Sequence, residues 1–282
     1  MKIKTARIKT INTKLPSGKL KDQEKPDLVN KKVEFIINAN FREIKIKGVE
    51  NFKLIPAKRK LIFVPTHLSD FDMLISLYAL SQYFHVAIVD SSTHHHLTEN
   101  PLAYVGIHFL GAKNFYSVKY TKDNKGIEHG KFDPNDFNKM QKDLTKKKAI
   151  IFSAYYKGGH GWCLPNKGGL GAIYLAALTN ALIVPVAINI KSKKQIGMGN
   201  AKIKTLLKRP RVEVIIGQPI DFPQIKNLRR ITALLKKKKT DQLSAQETII
   251  LKQIFREINK QSNIVMQHLA KLLPKQKRGK WS

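Results

Sequence analysis

Residues 60–72 of this 282-residue chain have the sequence KLIFVPTHLSDFD, and they carry its clearest structural signal. Residues 60–65 form a short, mostly apolar run of the kind that fills the middle of a sheet. The apolar residues Met73, Leu74, Ile75 and Leu77 follow at a spacing that favours a helix. A buried strand that leads directly into a helix is typical of α/β proteins, so this stretch predicts that fold class.

His67 and Asp72 are the candidate catalytic residues of this stretch. A His at the carboxyl end of a buried strand projects into the crevice where α/β proteins bind ligands. If Ser69 or Asp70 is the N-cap of the helix, Asp72 lies in its first turn and can fold back to the imidazole. Such a carboxylate fixes the tautomer of the ring, and the other ring nitrogen can take a proton from a hydroxyl group. The alternative is that His67 only caps the helix and Asp72 is a solvated acid.

The order Thr66-His67-x4-Asp72 after an apolar strand resembles the first motif of the glycerolipid acyltransferases, the family of the lysophosphatidic acid acyltransferases. The resemblance spans residues 43–273, and four more segments are similar to family motifs in the same order: residues 105–112, 150–161, 182–188 and 212–220. It implies an α/β fold with a central, mostly parallel or mixed sheet flanked by helices. It also implies that His67 and Asp72 are the catalytic pair.

The third motif departs from the family pattern. The family typically has Phe-Pro-Glu-Gly-Thr-Arg there, with the Glu and Arg binding the acceptor phosphate, whereas this chain has Ala154 and Tyr156 in place of the acid and the hydroxyl. Lys157 is the cation that remains. With Gly158 and Gly159 it forms a glycine-rich stretch whose backbone N–H groups are able to cradle a phosphate, although a plain surface turn explains the same residues.

Other substrate-binding residues are expected from the remaining motifs. Where the second motif usually has an Arg, this chain offers Ser117 or Val118, with Lys119 next to them. Lys lacks the bidentate geometry of Arg, so the replacement changes how phosphate is held. Lys167 precedes two glycines and a predicted helix, whose N-terminus favours anions. The fourth motif contributes Val184 and Pro185, either to acyl-chain binding or to the structure of the motif.

The resemblance implies an O-acyltransferase of the phospholipid-biosynthesis type, like a 1-acyl-glycerol-3-phosphate acyltransferase. It would move a fatty acyl group from acyl-CoA or an acyl carrier protein to a lipid hydroxyl, with no resident cofactor. A metal site is not expected, because the consecutive His94, His95 and His96 rarely converge on one ion and no Cys or acidic cluster completes a set. The alternative is a catalytically inactive acyltransferase-like protein that binds anionic membrane or nucleic acid.

The net charge of +32, from 52 Lys and Arg against 20 Asp and Glu, indicates an anionic partner. Anionic lipid attracts basic residues, and nucleic acid attracts them through counterion release. Nucleic acid is the less favoured partner, because neither zinc-finger spacing nor an RNA-recognition signature occurs. A general lysine bias of the proteome is a third explanation. Together with the single cysteine, Cys163, these features predict a cytoplasmic protein that is peripheral on the membrane.

The chain is expected to have one domain. Residues 1–26 contain eight Lys or Arg and two acids, which predicts a mobile basic arm, and residues 274–282 look like a similar basic tail. Residues 27–273 would form a single acyltransferase-like domain. Within it the patterns predict helices at residues 27–41, 139–147 and 246–273, strands at 43–47 and 149–153, and a surface loop at 123–136.

Overall fold

The computed structural model describes residues 29–69, 71–90, 115–122, 128–132, 134–146, 149–154, 163–191, 209–235 and 242–282. The predicted arm at residues 1–26 lies outside them. The described strands are β1 (Glu43–Lys47), β2 (Leu61–Pro65), β3 (Val86–Asp90), β4 (Phe115–Lys122), β5 (Glu128–Phe132), β6 (Ala149–Phe152), β7 (Leu182–Lys191) and β8 (Arg211–Ile216). The helices are α1 (Val29–Asn40), α2 (Asp72–Leu80), α3 (Pro134–Thr145), α4 (Gly171–Thr179), α5 (Leu228–Leu235) and α6 (Ala245–Leu272).

These strands form one mixed sheet in the order β1-β8-β7-β2-β6-β3-β4-β5. The five strands from β7 to β4 are parallel, whereas β8 and β5 run antiparallel to their neighbours β7 and β4. Parallel strands place their carboxyl ends at one edge, and ligands of open α/β sheets bind there. The predicted fold class is therefore confirmed: the protein has a mixed, largely parallel sheet flanked by helices.

The central strand β2 is buried along its whole length between β7 and β6. Its side chains alternate between the two faces of the sheet. Ile62 and Val64 belong to the core cluster that contains α4 and α6, and Leu61 and Phe63 belong to the cluster that contains α1 and α2. Helices thus cover both faces of the strand, which explains why its sequence is a continuous apolar run.

Helix α6 forms as its sequence predicts. Ser244 and Glu247 make a capping box, in which the Ser244 hydroxyl accepts from the Glu247 N–H and the Glu247 carboxylate accepts from the Ser244 N–H. The apolar stripe that includes Ile254, Ile258 and Leu269 is buried against the sheet. The predictions of β1, β6 and α1 are also confirmed: β1 has the predicted ends, and the ends of β6 and α1 differ by one or two residues.

Two expectations are wrong. Residues 123–136, expected to be a surface loop, include β5 and the start of α3. The strand was missed because its residues Glu128–Phe132 are mostly polar, as an edge strand allows.

Residues 274–282 are not a mobile tail, because they form two 3₁₀ turns that pack on the domain. The Trp281 indole N–H donates to the Pro165 carbonyl at 2.8 Å.

None of the helices within the described ranges has both the length and the apolar composition that crossing a bilayer requires.

Candidate functional site

The end of β2 is fixed by Thr66. Its backbone N–H donates to the Val186 carbonyl at 2.9 Å, and its hydroxyl accepts from the Ile188 N–H, also at 2.9 Å. The buried side chain therefore replaces a backbone acceptor and extends the pairing with β7 one step past Pro65. His67 follows directly, so it stands half-buried at the carboxyl edge of the central strand.

Asp72 is the first residue of α2, and its carboxylate is hydrogen-bonded to the loop that connects β2 to this helix. One carboxylate oxygen, Oδ2, accepts from the N–H groups of Leu68 at 2.7 Å and Ser69 at 3.3 Å. The other oxygen, Oδ1, accepts from the Ser69 hydroxyl. Asp72 is only 1% exposed, so the alternative of a solvated first-turn acid is wrong.

The expected capping of α2 is also wrong. Phe71, and not Ser69, occupies the N-cap position and makes no side-chain capping bond, while Asp70 lies outside the described residues. Asp72 instead reaches backwards and binds N–H groups of the loop that precedes the helix. The sequence pattern suggested a cap because Ser and Asp favour helix starts, but the same residue types also favour loop hydrogen bonds of this kind.

The buried position of Asp72 changes its acidity. Burial raises the pKa of its carboxyl group from 3.8 to about 7, while the hydrogen bonds from Ser69 and Leu68 and the charge of Lys277 act in the opposite direction. Carboxyl groups whose pKa is strongly raised by burial occur preferentially at functional sites. A hydrogen bond between this carboxylate and the His67 ring remains a prediction from the spacing.

The segments that follow β6 and precede α4 meet β2 at the same edge. The Ala154 N–H donates to the Pro65 carbonyl at 2.9 Å, and the Ala154 carbonyl accepts from the Gly169 N–H at 2.8 Å. Ala154 is buried, so a methyl group lies at this contact. The chain after β6 therefore packs against the end of β2, two residues before His67.

Gly168 is held tightly against α6. A Cβ atom on this residue would lie 2.4 Å from Ser262 Oγ and 2.8 Å from Met266 Cγ, so a larger residue would require these α6 side chains to shift. Ser262 Oγ also donates to the Gly169 carbonyl at 3.1 Å. Lys167, the residue before this contact, is exposed and lies on the segment that leads into α4.

The other predicted binding residues lie farther from the end of β2 or fall outside the described ranges. Ser117 pairs with Asp90 and Lys119 with Lys131 along β4, which is three strand positions, or about 14 Å, from β2. Lys157, Gly158 and Gly159 lie outside the described residues.

Val184 and Pro185 are buried in β7, where they pair with Phe63 and Val64 of β2. The Pro185 carbonyl accepts from the Gly217 N–H at 2.8 Å. These two residues of β7 therefore support the strand that leads to His67.

Within the described ranges, no three His, Cys, Asp or Glu side chains are close enough together to hold a metal ion. His94, His95 and His96 lie outside those ranges.

Lys277 is a residue of this region that the sequence did not reveal. It is 8% exposed, its Nζ donates to the Ile190 carbonyl at 3.0 Å, and its charge acts on Asp72. Its neighbours Lys275, Arg278 and Lys280 made the segment look like a solvated basic tail. Trp281 was the signal against that interpretation, because a large aromatic residue in a polar tail usually packs against a core.

A comparison with protein-family models found no match, and a comparison with curated proteins found none either. Among solved structures, the chain is similar to the crystal structure of the 1-acyl-sn-glycerophosphate (LPA) acyltransferase PlsC from Thermotoga maritima. The TM-score is 0.42 at 16% sequence identity, over 77% of this chain and 79% of that one.

Proposed function

We propose that the protein is an O-acyltransferase that moves a fatty acyl group from a thioester donor to a lipid hydroxyl. The observation that carries the proposal is the buried, hydrogen-bonded carboxylate of Asp72 in the loop that begins with His67, at the carboxyl end of the central strand. A buried carboxylate is costly, and α2 does not use it as an N-cap. Its placement five residues after His67 fits the His-x4-Asp motif.

In the proposed mechanism His67 is the general base. One ring nitrogen takes the proton of the acceptor hydroxyl, and the hydroxyl oxygen attacks the carbonyl carbon of the thioester. The resulting tetrahedral intermediate collapses with cleavage of the C–S bond. The departing sulfur then receives the proton from the imidazolium, which leaves an ester and a free thiol. Asp72 orients the ring and stabilises its positive charge.

The proposed substrates follow from the motifs and the charge. The donor is acyl-CoA or an acyl carrier protein thioester, and the acceptor is a lipid at an anionic membrane surface. Lys167, exposed before α4, and Lys157, which lies outside the described residues, would contact the anionic headgroup or the donor phosphates. Ser117, Lys119, Gly158 and Gly159 complete the proposed binding set.

The test is a matched pair of histidine variants. His67→Ala removes the proposed base, whereas His85→Ala removes an exposed imidazole just before β3, at the opposite edge of the sheet. Transfer of a labelled acyl group from acyl-CoA and from an acyl carrier protein is measured on a panel of lysolipids and monoacylglycerols. We expect His67→Ala to lose at least about 100-fold in kcat, with an unchanged thermal unfolding midpoint, and His85→Ala to keep full activity.

Two outcomes would count against the proposal. Turnover in His67→Ala equal to that of the wild type excludes the general-base role. Absence of transfer by the wild type to every acceptor, together with tight binding of anionic vesicles or nucleic acid, favours an inactive binding protein. The +32 charge is the observation behind that second candidate function.

A further inference from the structure

Residues 274–282, here called the C-terminal segment, are attached to the domain at several points. The Leu164 N–H donates to the Lys277 carbonyl at 2.9 Å, and Arg278 Nε donates to the Leu273 carbonyl, also at 2.9 Å. Gly279 has φ +60°, and a Cβ atom there would lie 2.5 Å from the Leu164 oxygen. Only glycine fits this contact without strain. The Trp281 bond to Pro165 described above closes the segment onto the same loop.

This attachment places the Lys277 ammonium group at the edge of the sheet that carries His67 and Asp72. Its Nζ donates to the carbonyl of Ile190. Ile190 is two residues, or about 7 Å, along β7 from Ile188, whose N–H donates to the Thr66 hydroxyl. The lysine charge is therefore close to the loop that contains Asp72.

Keeping an ammonium group in a position that is only 8% exposed is unfavourable in itself. Burial lowers the pKa of Lys277, and the charge of Asp72 raises it. The converse holds for Asp72, because the charge of Lys277 lowers its pKa. Each charge thus offsets part of the cost of burying the other, so the two groups are coupled.

Other charged groups on the surrounding elements are paired elsewhere, exposed to solvent or partly buried, as follows. On β7, Lys191 Nζ is 3.2 Å from the Glu213 carboxylate. Lys167 and Lys275 are exposed. On α6, the pKa of His268 is lowered by partial burial and by the charge of Lys271. His67 and Asp70 are the other titratable residues of the loop that precedes α2, and Asp70 lies outside the described residues.

We propose that Lys277 is a positioning residue of the candidate site, whose buried ammonium group stabilises the negative charge of the Asp72 carboxylate. The inference rests on the proposed function, since it is through Asp72 and His67 that Lys277 acts on acyl transfer. A neutral Asp72 stabilises an imidazolium far less than a carboxylate does. Lys277 then supports the catalytic pair through its charge, without itself taking part in the reaction.

The first test needs no catalytic activity. The Asp72 carboxyl group is titrated by NMR in protein labelled with ¹³C at the Asp carboxyl carbon, with Asp72→Asn to assign the signal. Lys277→Met keeps the length of the side chain and removes its charge, and Lys275→Met makes the same change at an exposed position of the same segment. We expect the Asp72 pKa to rise by about one unit in Lys277→Met and to stay unchanged in Lys275→Met. An unchanged Asp72 titration in folded Lys277→Met overturns the proposal.

A reciprocal measurement covers the case in which Lys277→Met does not fold. In Asp72→Asn, the titration of the Lys277 ammonium group is followed through ¹³Cε-labelled lysine, with Lys277→Arg to assign the signal. Because coupling between two sites is mutual, the Lys277 pKa should fall when the Asp72 charge is removed. A Lys277 pKa that is the same in Asp72→Asn and in the wild type would also overturn the proposal.

The second test asks whether the coupling affects catalysis. In Lys277→Met the acidic limb of the pH–rate profile should move to higher pH, with about a tenfold loss of kcat at pH 6.5 and a small loss at pH 9. Lys275→Met should match the wild type at both. A shifted Asp72 titration without a shifted profile would overturn the positioning role. If the wild type transfers no acyl group, the proposed function fails, while the titrations still decide whether Lys277 and Asp72 are coupled.

Discussion

At the level of single residues, Asp72 combines good hydrogen bonding with an unfavourable position for its charge. Two backbone N–H groups and the Ser69 hydroxyl satisfy the carboxylate, yet burial still raises its pKa to about 7. The hydrogen bonds therefore do not fully replace water as a solvent for the charge. Such a residue is expected where its charge has a function beyond stabilising the fold.

Substitution of Asp72 by Asn separates the effect of its hydrogen bonds from the effect of its charge. The Asn oxygen can accept from the Leu68 and Ser69 N–H groups, and its NH₂ group can donate to Ser69 Oγ, so the loop keeps its bonds. We expect kcat to fall by at least about 100-fold while the protein stays folded. Asp72→Asn activity close to that of the wild type would show that the carboxylate charge has no catalytic role.

The pH dependence of stability provides a further prediction for the same variant. A carboxyl group whose folded-state pKa lies above its unfolded value destabilises the fold as the pH rises from 3.8 through about 7. The cost reaches the order of 4 kcal/mol above that range. The free energy of unfolding of Asp72→Asn, relative to the wild type, should therefore be higher at pH 8 than at pH 5. Urea unfolding at both pH values measures it, and the opposite trend would contradict the raised pKa.

At the level of secondary-structure elements, the strands and helices that frame the site were predictable from their apolar patterns. β2 is a continuous apolar run because helices cover both of its faces, and α6 shows both its capping box and its apolar stripe. β5 was not predictable, since its polar sequence lacks the alternation of a half-buried strand. The C-terminal segment was missed because its stability comes from contacts with residues 163–165, which are distant in sequence.

The candidate site was predictable only in part, because some of its features are local in sequence and others depend on contacts between distant segments. The positions of His67 and Asp72 follow from a local pattern, a strand end followed by a helix start. The burial of Asp72 and the approach of Lys277 depend on how distant segments pack, which short-range spacing does not encode. The hydrogen bonds from Leu68 and Ser69 lie between these cases, since they are local but compete with helix capping.

The loop after β6 leads to a prediction about the acceptor. Ala154 presents a buried methyl group beside the end of β2, where the related motif carries a Glu that helps bind phosphate. We expect weak or no activity on lysophosphatidic acid, and a higher kcat/KM on a monoacylglycerol with the same acyl chain, because the latter needs no phosphate clamp. Steady-state kinetics with both acceptors tests this. Efficient acylation of lysophosphatidic acid, with a KM in the ordinary micromolar range, would show that another cation binds the phosphate.

At the level of the whole molecule, the 52 Lys and Arg residues greatly outnumber the 20 Asp and Glu residues, which leaves a net charge of +32. Among the described residues the ion pairs are surface contacts, such as Lys47 with Glu213 and Arg59 with Asp221. Pairs of this kind contribute little to stability. The excess positive charge is therefore available for an anionic partner, and under the proposed function we expect that partner to be the membrane.

The last prediction is that the protein binds anionic bilayers through its basic residues and α1. Phe35 on α1 is 70% exposed, whereas Val33, Ile37 and Phe41 of the same region are buried. Removal of the whole region would therefore damage the core. The informative variants are a deletion of residues 1–26 and Phe35→Ser, with Ile249→Ser as the control, an exposed apolar residue on α6 across the sheet.

Sedimentation with liposomes should show binding that increases with the fraction of anionic lipid. It should decrease at high salt, because the Debye length is already only about 8 Å at physiological ionic strength. The deletion and Phe35→Ser should each weaken binding, since one removes positive charge and the other removes an apolar group that can enter the interface. Ile249→Ser should bind like the wild type, because α6 covers the opposite face of the sheet from α1. A protein that ignores anionic liposomes at low salt but binds RNA or DNA tightly would show that its charge serves nucleic acid instead.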